Sequence, residues 1–329
     1  MKRREFITLL GGAAATWPRA TRAQQAAMSV VGILSRESAD ASAHIVAAFR
    51  AGLNAAGYVD GQNVALNFRW ADGQYDRLPM FAADFARRPV ALVVALDNMA
   101  AVAARKATAR IPVVFATRGG PVPLELVSKL NRPDSNVTGV AFFGFGKSLT
   151  ARRLGLLREV VPSASSVGVL LDPKALAYTT ERKDTQEAAR SLGTNSIMLT
   201  AYSEGEIDAA FATFAQRQVR ALLLNASTYF TWQRRDQILG LTARYGIAAM
   251  YTLREWVADG GLMSYGVILS DTYRQVGIYA GKILKGAAPD DLPVDQFARF
   301  EFVINLKTAQ ALGLEIPRKL LALADEVIE

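Results

Sequence analysis

The eight residues from Ala141 to Ser148, AFFGFGKS, end like a phosphate-binding loop. Such a loop is spaced G-x-x-x-x-G-K-[ST]; its first glycine opens a tight turn and backbone N–H groups then cradle the phosphates. Gly146, Lys147 and Ser148 supply the second half, but Ala141 stands where the first glycine is needed, and the bulky Phe142 and Phe143 follow it. Nucleotide binding is therefore not expected. Gly144-Phe145-Gly146 is no dinucleotide turn either, because the third glycine of G-x-G-x-x-G falls on residue 149, a leucine. A nucleophile elbow of the form G-x-S-x-G is absent as well. The chain has no cysteine, which removes disulfides, thiolate catalysis and cysteine metal sites. Its one histidine, His44, would have to serve alone as a general base, and zinc catalysis commonly takes several histidines. The expectation is a protein that is not an enzyme, with no catalytic residues, no metal and no cofactor.

Short apolar runs alternate with longer amphipathic segments along the chain. Val30–Leu34, Val64–Trp70, Val90–Leu96, Pro112–Ala116 and Val137–Phe142 read as strands. Between them Ala41–Ala56, Leu78–Arg87, Ala100–Ala109 and Leu124–Leu130 read as helices. In Val64–Trp70 the apolar residues alternate with Ala65, Asn67 and Arg69, which predicts a strand near a sheet edge. The pattern then starts again: Ser166–Leu171 (SVGVLL) mirrors the opening VVGIL, and further strands fall at 196–200, 221–224, 248–251 and 262–265. Strand–helix alternation run twice predicts an α/β protein of two parallel sheets with helices on both faces. Ligands of such sheets bind outside the carboxyl ends of the strands. The candidate stretches are Ser35 to Ser38, Asp97-Asn98-Met99, Thr117 to Gly120, Asp172 to Tyr178, Asn225 to Tyr229, and Tyr251 to Glu255. Their mix of Ser, Thr, Asn, Gly, Tyr and a few charges suits hydrogen bonding to a small polar ligand.

With 329 residues, 51% of them hydrophobic, the chain has material for two cores. Part of the formal charge of +8 lies at the start. Residues 1–23 read as an export signal: basic Lys2, Arg3 and Arg4, an apolar stretch too short to span a bilayer, and small residues before Gln24. Arg3-Arg4-Glu5-Phe6-Ile7 resembles the twin-arginine export pattern. Removing residues 1–23 leaves a balance of +4, with no block of like charge of the kind a nucleic-acid arm carries, so no nucleic-acid partner is expected. No second stretch of about 18 apolar residues follows, so a soluble mature chain is expected.

Four segments carry a resemblance: GLNAAGYVDGQN (52–63), RWADGQYDRL (69–78), REWVADGGLMSYG (254–266) and FVINLKTA (302–309). Together they resemble the solute-binding proteins of ABC importers, within the subfamily of tryptophan-type binding proteins. The resemblance implies the type I periplasmic binding fold, two doubly wound parallel-sheet lobes joined by a three-strand hinge. Lobe one would comprise 29–141 with 267–292, and lobe two 142–266 with 293–329. The crossings would lie near Val137–Phe145, Ser264–Val267 and Pro293–Phe297. AFFGFGKS would then be the first crossing, with Gly144 and Gly146 giving backbone freedom and Ser148 capping the next helix.

The implied function is a periplasmic, monomeric protein. It would close two lobes on a small-molecule ligand and deliver it to the membrane permease of an ABC importer. The candidate ligand-binding residues are Ser35, Asp97, Asn98, Met99, Thr117, Arg118, Gly119, Asp172, Tyr178, Asn225, Tyr229, Glu255 and Tyr265. The chain departs from relatives where they often carry Gly-Asp-Pro; here Arg118 precedes Gly119-Gly120-Pro121, and Asn225-Ala226 stands where Asp-Pro is common. An amino acid, an aromatic acid or another carboxylate is compatible with those loops, and Tyr178, Tyr229 and Tyr265 could stack on a ring. Two other readings remain at this point: a ligand-binding sensor module without transport, and an exported α/β hydrolase.

Overall fold

Uninterrupted runs of Val, Leu and Ala make strands buried on both faces, and the amphipathic segments between them supply the covering helices. The computed structural model describes residues 28–118, 120–133, 135–142, 147–175, 178–297 and 299–329. The first elements are β1 (Ser29–Ser35), α1 (Ala43–Ala55), β2 (Val64–Trp70), α2 (Arg77–Arg87), β3 (Leu92–Ala95), α3 (Asn98–Ala107), β4 (Val113–Arg118) and β5 (Val137–Phe142). The second series runs α4 (Lys147–Val160), β6 (Ser166–Leu171), α5 (Tyr178–Ser191), β7 (Asn195–Thr200), α6 (Glu204–Gln216), β8 (Ala221–Leu224), α7 (Thr228–Gln233), α8 (Arg235–Arg244), β9 (Ala248–Tyr251), α9 (Arg254–Ala258) and β10 (Met263–Val267). The chain closes with α10 (Leu269–Leu284), β11 (Asp295–Phe297), β12 (Phe300–Asn305), α11 (Leu306–Ala311), α12 (Arg318–Leu323) and β13 (Glu326–Ile328).

Two sheets result, ordered β11-β5-β4-β3-β1-β2 and β13-β12-β10-β9-β8-β6-β7. All described pairings are parallel except β10 with β12. Each sheet therefore contains the same doubly wound run, in which the strand order reverses beside its first strand: between β1 and β3 in one, between β6 and β8 in the other. These two reversal points are where a doubly wound sheet opens a crevice for a ligand. The two parallel α/β sheets expected from the repeated alternation are present. β2 lies on the sheet edge as its alternation predicts. Leu66, Phe68 and Trp70 pack on the core, while Arg69 reaches Asp84 of α2 at 3.0 Å.

The chain passes between sheets three times. It leaves β5 for α4, whose Leu154, Leu157 and Val160 pack on the second sheet. It leaves β10 for α10, which packs against α1 of the first lobe. It leaves β11 for β12. Residues 295–297, placed above in lobe two, are hydrogen-bonded to β5 in the first sheet, so this passage falls between Phe297 and Phe300. A continuous apolar cluster runs from Val31, Phe49 and Val114 of the first lobe to Leu170, Leu224 and Trp256 of the second.

Several local expectations change. Residues 124–130 form turns, not a helix: Pro121 and Pro123 precede them, and Glu125 adopts φ 56, a left-handed backbone that breaks a helical ladder. The stretches Asn225–Tyr229 and Tyr251–Glu255, read as strand ends with no helix assigned, run into the short helices α7 and α9. α4 begins at Lys147, and the side chain of Ser148, expected to cap it, lies outside the described residues. The expected export signal, and Gly144 and Gly146 of the expected hinge, lie outside the described residues. Among the described residues, no helix is long and apolar enough to cross a membrane.

Candidate ligand-binding cleft

The carboxyl end of β3 leads into α3, and Asp97 sits at that junction. Its Oδ1 accepts from the Ala100 N–H at 2.9 Å as the helix cap, and its Oδ2 accepts from the Arg36 N–H at 2.8 Å. One side chain thus ties the end of β1 to the start of α3. Burial pushes the Asp97 carboxyl up, and Arg36 and the backbone N–H donors pull it back. Next to it, Asn98 bonds the backbone of Arg118 in both senses, donating to its carbonyl at 3.0 Å and accepting from its N–H at 2.8 Å. Arg118 is thereby held on a fixed backbone at the end of β4, with its guanidinium carbon 5.9 Å from the Phe142 ring centroid.

The second lobe presents a matching set. Asp172 follows β6; its Oδ1 accepts from the Lys174 N–H at 2.8 Å and its Oδ2 from the Ser227 hydroxyl at 2.6 Å. The Ser227 Oγ in turn accepts from the Phe230 N–H at 3.1 Å and so caps α7. That chain fixes Tyr229, whose ring lies 4.8 Å from that of Tyr202 and whose hydroxyl accepts from Arg234 Nε at 2.8 Å. The Lys174 ammonium sits 3.6 Å from the Tyr202 ring centroid. Beneath this surface Glu181 accepts from the Ala226 N–H at 3.3 Å. Burial pushes the Glu181 carboxyl up to about 7, against the opposing pull of Arg153 and Arg118.

The two sets face one cavity of about 330 Å³. Arg36, Tyr75, Asp97, Asn98, Met99, Arg118 and an apolar wall of Leu96, Val102, Ala116, Leu124 and Phe142 line it from the first lobe, with Tyr273 of α10. Asp172, Lys174, Ala175, Tyr202, Ala226 and Tyr229 line it from the second. The volume is at the small end of the roughly 300–1,000 Å³ usual for small-molecule sites. Beside it, α1 touches the opposite lobe: the His44 ring lies 5.3 Å from Trp232 of α7, and His44 Nε2 lies 3.9 Å from Glu255 of α9. Burial lowers the His44 pKa, Glu255 raises it and Arg235 lowers it.

Of the residues singled out from sequence, Asp97, Asn98, Met99, Arg118, Asp172 and Tyr229 come together on this cavity. The others lie elsewhere. Ser35 is buried and accepts from the Glu37 N–H at 3.1 Å. Thr117 is buried in β4, where it alternates with the lining residues Ala116 and Arg118. Tyr178 packs on the second lobe's core, Asn225 is buried next to Ala226, and Glu255 meets His44. Tyr265 stacks on Phe300 at 6.0 Å, and its carbonyl accepts from Arg153 Nε at 2.6 Å. Gly119 lies outside the described residues. Arg36 and Lys174 stand in stretches flagged from sequence but were not singled out. Tyr75 and Tyr202 follow the edge strands β2 and β7, so the strand-end rule finds them once applied to edges as well. Tyr273 has no local signal, because only the return of α10 to the first lobe brings it to the cleft.

A pH dependence follows from the buried carboxyls. Burial also pushes Glu301 up to about 7, with Glu255 adding to the effect. A carboxyl raised in the folded state contributes stability that is full below its ordinary value of 4.5 and is lost as pH rises through 7. His44, lowered by burial, acts in the opposite sense below pH 6.5. Two raised carboxyls outweigh one histidine, so the unfolding midpoint is expected to fall between pH 5 and 8. Glu181→Gln is expected to flatten that slope by an amount on the order of a few kcal/mol at most. Urea unfolding at several pH values checks this; an unchanged slope in the variant would rule out Glu181 as its source.

Residues 29–328 match the model of the family described as ABC transporter substrate binding protein. A tyrosine-binding protein of Clostridioides difficile (strain R20291) is 23% identical over 271 residues, covering 79% of this chain and 73% of its own length. Among solved structures, an ABC domain in complex with L-Trp from Streptococcus pneumonia superposes with a TM-score of 0.80 at 25% identity, over 91% of this chain and 99% of its own. A ligand-free, open substrate-binding protein with adhesive properties from Clostridium difficile superposes with a TM-score of 0.70 at 22% identity, over the same shares. With a family match over nearly the whole described length and a cleft at the strand-reversal points of two doubly wound sheets, this chain belongs to the ABC transporter substrate-binding protein family.

Proposed function

We propose that this protein captures a small solute with an apolar, ring-sized body between its two lobes and hands it to the membrane permease of an ABC importer. The observation that carries this reading is the cleft itself. A small cavity with an apolar wall on one lobe faces Tyr202 and Tyr229 on the other, and Arg36, Asp97, Arg118, Asp172 and Lys174 bring charges to its lining. The relatives that bind tyrosine and L-Trp support a ligand of this size. In this reading the lobes are 29–141 with 267–292 and 142–266 with the C-terminal segment. They swing on the three passages, and the contacts of His44 with Trp232 and Glu255 hold the closed state. The segment 1–23 carries the chain out of the cytoplasm by the twin-arginine route, and the protein acts in the periplasm as a monomer. Its work is capture and release, without chemistry on the ligand.

Thermal unfolding against aromatic amino acids, aromatic acids, short aliphatic carboxylates and sugars tests the reading. A ligand that binds only the folded state raises the melting temperature with its concentration relative to Kd. A shift confined to ring-bearing solutes is expected; a shift with sugars alone would overturn the proposal. Tyr202→Ala removes a cleft ring and the support of Lys174, and is expected to weaken binding about 5- to 30-fold. Calorimetric titration of the responding solute reads that change.

A further inference from the structure

We propose that the ligand is a ring-bearing carboxylate without an ammonium group, and that Arg118 is the residue that holds its carboxylate. The inference rests on the solute-binding reading above and concerns the same cleft. Proteins recognise an ammonium in two main ways, with a carboxylate or with the face of an aromatic ring. Both are already engaged here. Among the described residues, the two carboxylates that line the cavity are Asp97 and Asp172. Each of their four oxygens already accepts a hydrogen bond: from the Arg36 and Ala100 N–H groups at Asp97, and from the Lys174 N–H and the Ser227 hydroxyl at Asp172. The three tyrosines of the cavity outside α10 each carry a protein cation on the ring. Arg36 lies over Tyr75 at 5.5 Å, Lys174 over Tyr202 at 3.6 Å and Arg234 over Tyr229 at 5.5 Å.

Arg118 is the opposite case. Among the described residues its guanidinium has no carboxylate partner at ion-pair distance, whereas Arg36 pairs with Glu37 at 2.9 Å and Arg234 with Glu204 at 3.0 Å. Burial lowers its pKa, and it lines the cavity at the end of β4. A guanidinium whose backbone is locked on both sides by Asn98 offers a preorganised fork for a planar anion. The wall of Leu96, Val102 and Phe142 then takes the apolar body. An α-amino acid would bring an ammonium to a cleft whose carboxylates, among the described residues, are already turned to protein donors.

The test is a matched triplet on the purified protein: phenylpropanoate, L-phenylalanine and phenethylamine, repeated with the hydroxyphenyl and indole series, by calorimetric titration. The carboxylate without amine is expected to bind at least about tenfold tighter than the amino acid, and the amine not at all. Arg118→Met, checked first for an unchanged ligand-free melting temperature, is expected to weaken the carboxylate roughly 10- to 100-fold. If the amino acid binds as tightly as its deaminated partner, the proposal falls while the solute-binding reading stands. If no member of any triplet binds, the ring-bearing ligand falls with it. The wild-type comparison decides the matter even if the variant does not fold.

Discussion

Gly277→Ala is expected to destabilise the first lobe by about 3 kcal/mol or more, the upper range for overpacking. The reason is the crossing of α1 and α10. A Cβ at Gly277 would stand 2.1 Å from the Phe49 carbonyl oxygen and 2.7 Å from the Leu53 nitrogen. A Cβ at Gly52 would stand 1.8 Å from the Arg274 carbonyl oxygen, and one at Gly281 would meet the Ala56 Cβ at 2.2 Å. The obstacles at Gly277 and Gly52 are backbone atoms inside helices, so no rotamer change relieves the clash and the helices must separate. Separation would strip contacts from Tyr273 and Val276, which bury against the sheet, and would shift the Tyr273 hydroxyl that donates to the Leu96 carbonyl at 2.8 Å beside the cleft. An internal control sharpens the expectation. Gly240, within α8, has nothing within 4 Å of its would-be Cβ. There Gly240→Ala is expected to stabilise by about 0.5–1 kcal/mol, because alanine lowers the entropy cost of the helix. Differential scanning calorimetry of the two variants checks both signs. A Gly277→Ala protein that melts with the wild type would mean that α1 and α10 do not pack as closely as described.

The three glycines show what kind of information a sequence carries. Two parallel sheets with covering helices were legible because strand–helix alternation is a local signal repeated many times. The positions just after the strands were legible because that topology dictates where ligands bind. Hence Asp97, Asn98, Arg118, Asp172 and Tyr229 could be named. Whether a strand-end residue turns into the cleft or away from it was not legible. Thr117 and Arg118 are neighbours on β4, yet only Arg118 lines the cavity. The pleat sends successive side chains to opposite faces, and a one-residue uncertainty in register exchanges them. The surroundings of Tyr265 were not legible for a related reason: it lies on a strand with ring neighbours on β12, and an antiparallel partner far along the chain leaves no mark nearby. Gly52, Gly277 and Gly281 stand inside helices, and their purpose depends on a pairing of α1 with α10 across most of the chain.

Asp172→Ala is expected to cost about 2–3 kcal/mol of stability and to weaken ligand binding by roughly 10- to 100-fold. The side chain is buried and does two jobs with two oxygens. Without it, the part-buried Lys174 N–H and the buried Ser227 hydroxyl lose their acceptor, and an orphaned buried donor carries its desolvation cost in full. The damage spreads along a defined chain. Ser227 caps α7 through the Phe230 N–H, and a hydroxyl no longer oriented by Asp172 caps less well. α7 carries Tyr229, which faces Tyr202 across 4.8 Å, and Lys174 rests on the Tyr202 ring. One carboxylate therefore helps to position Lys174 and Tyr229 on the second lobe's wall of the cavity, although its own oxygens are turned to protein donors. Asp172→Asn separates the two jobs. It keeps the side-chain oxygen for the Lys174 N–H, and the Ser227 hydroxyl can rotate to accept from the amide, so stability should fall by no more than about 1 kcal/mol. If ligand affinity tracks stability across the alanine and asparagine variants, Asp172 acts by positioning the wall. If asparagine restores stability but not affinity, the charge itself meets the ligand, and an ammonium-bearing solute returns as the better fit. Urea unfolding and calorimetric titration of both variants with phenylpropanoate and L-phenylalanine distinguish these outcomes.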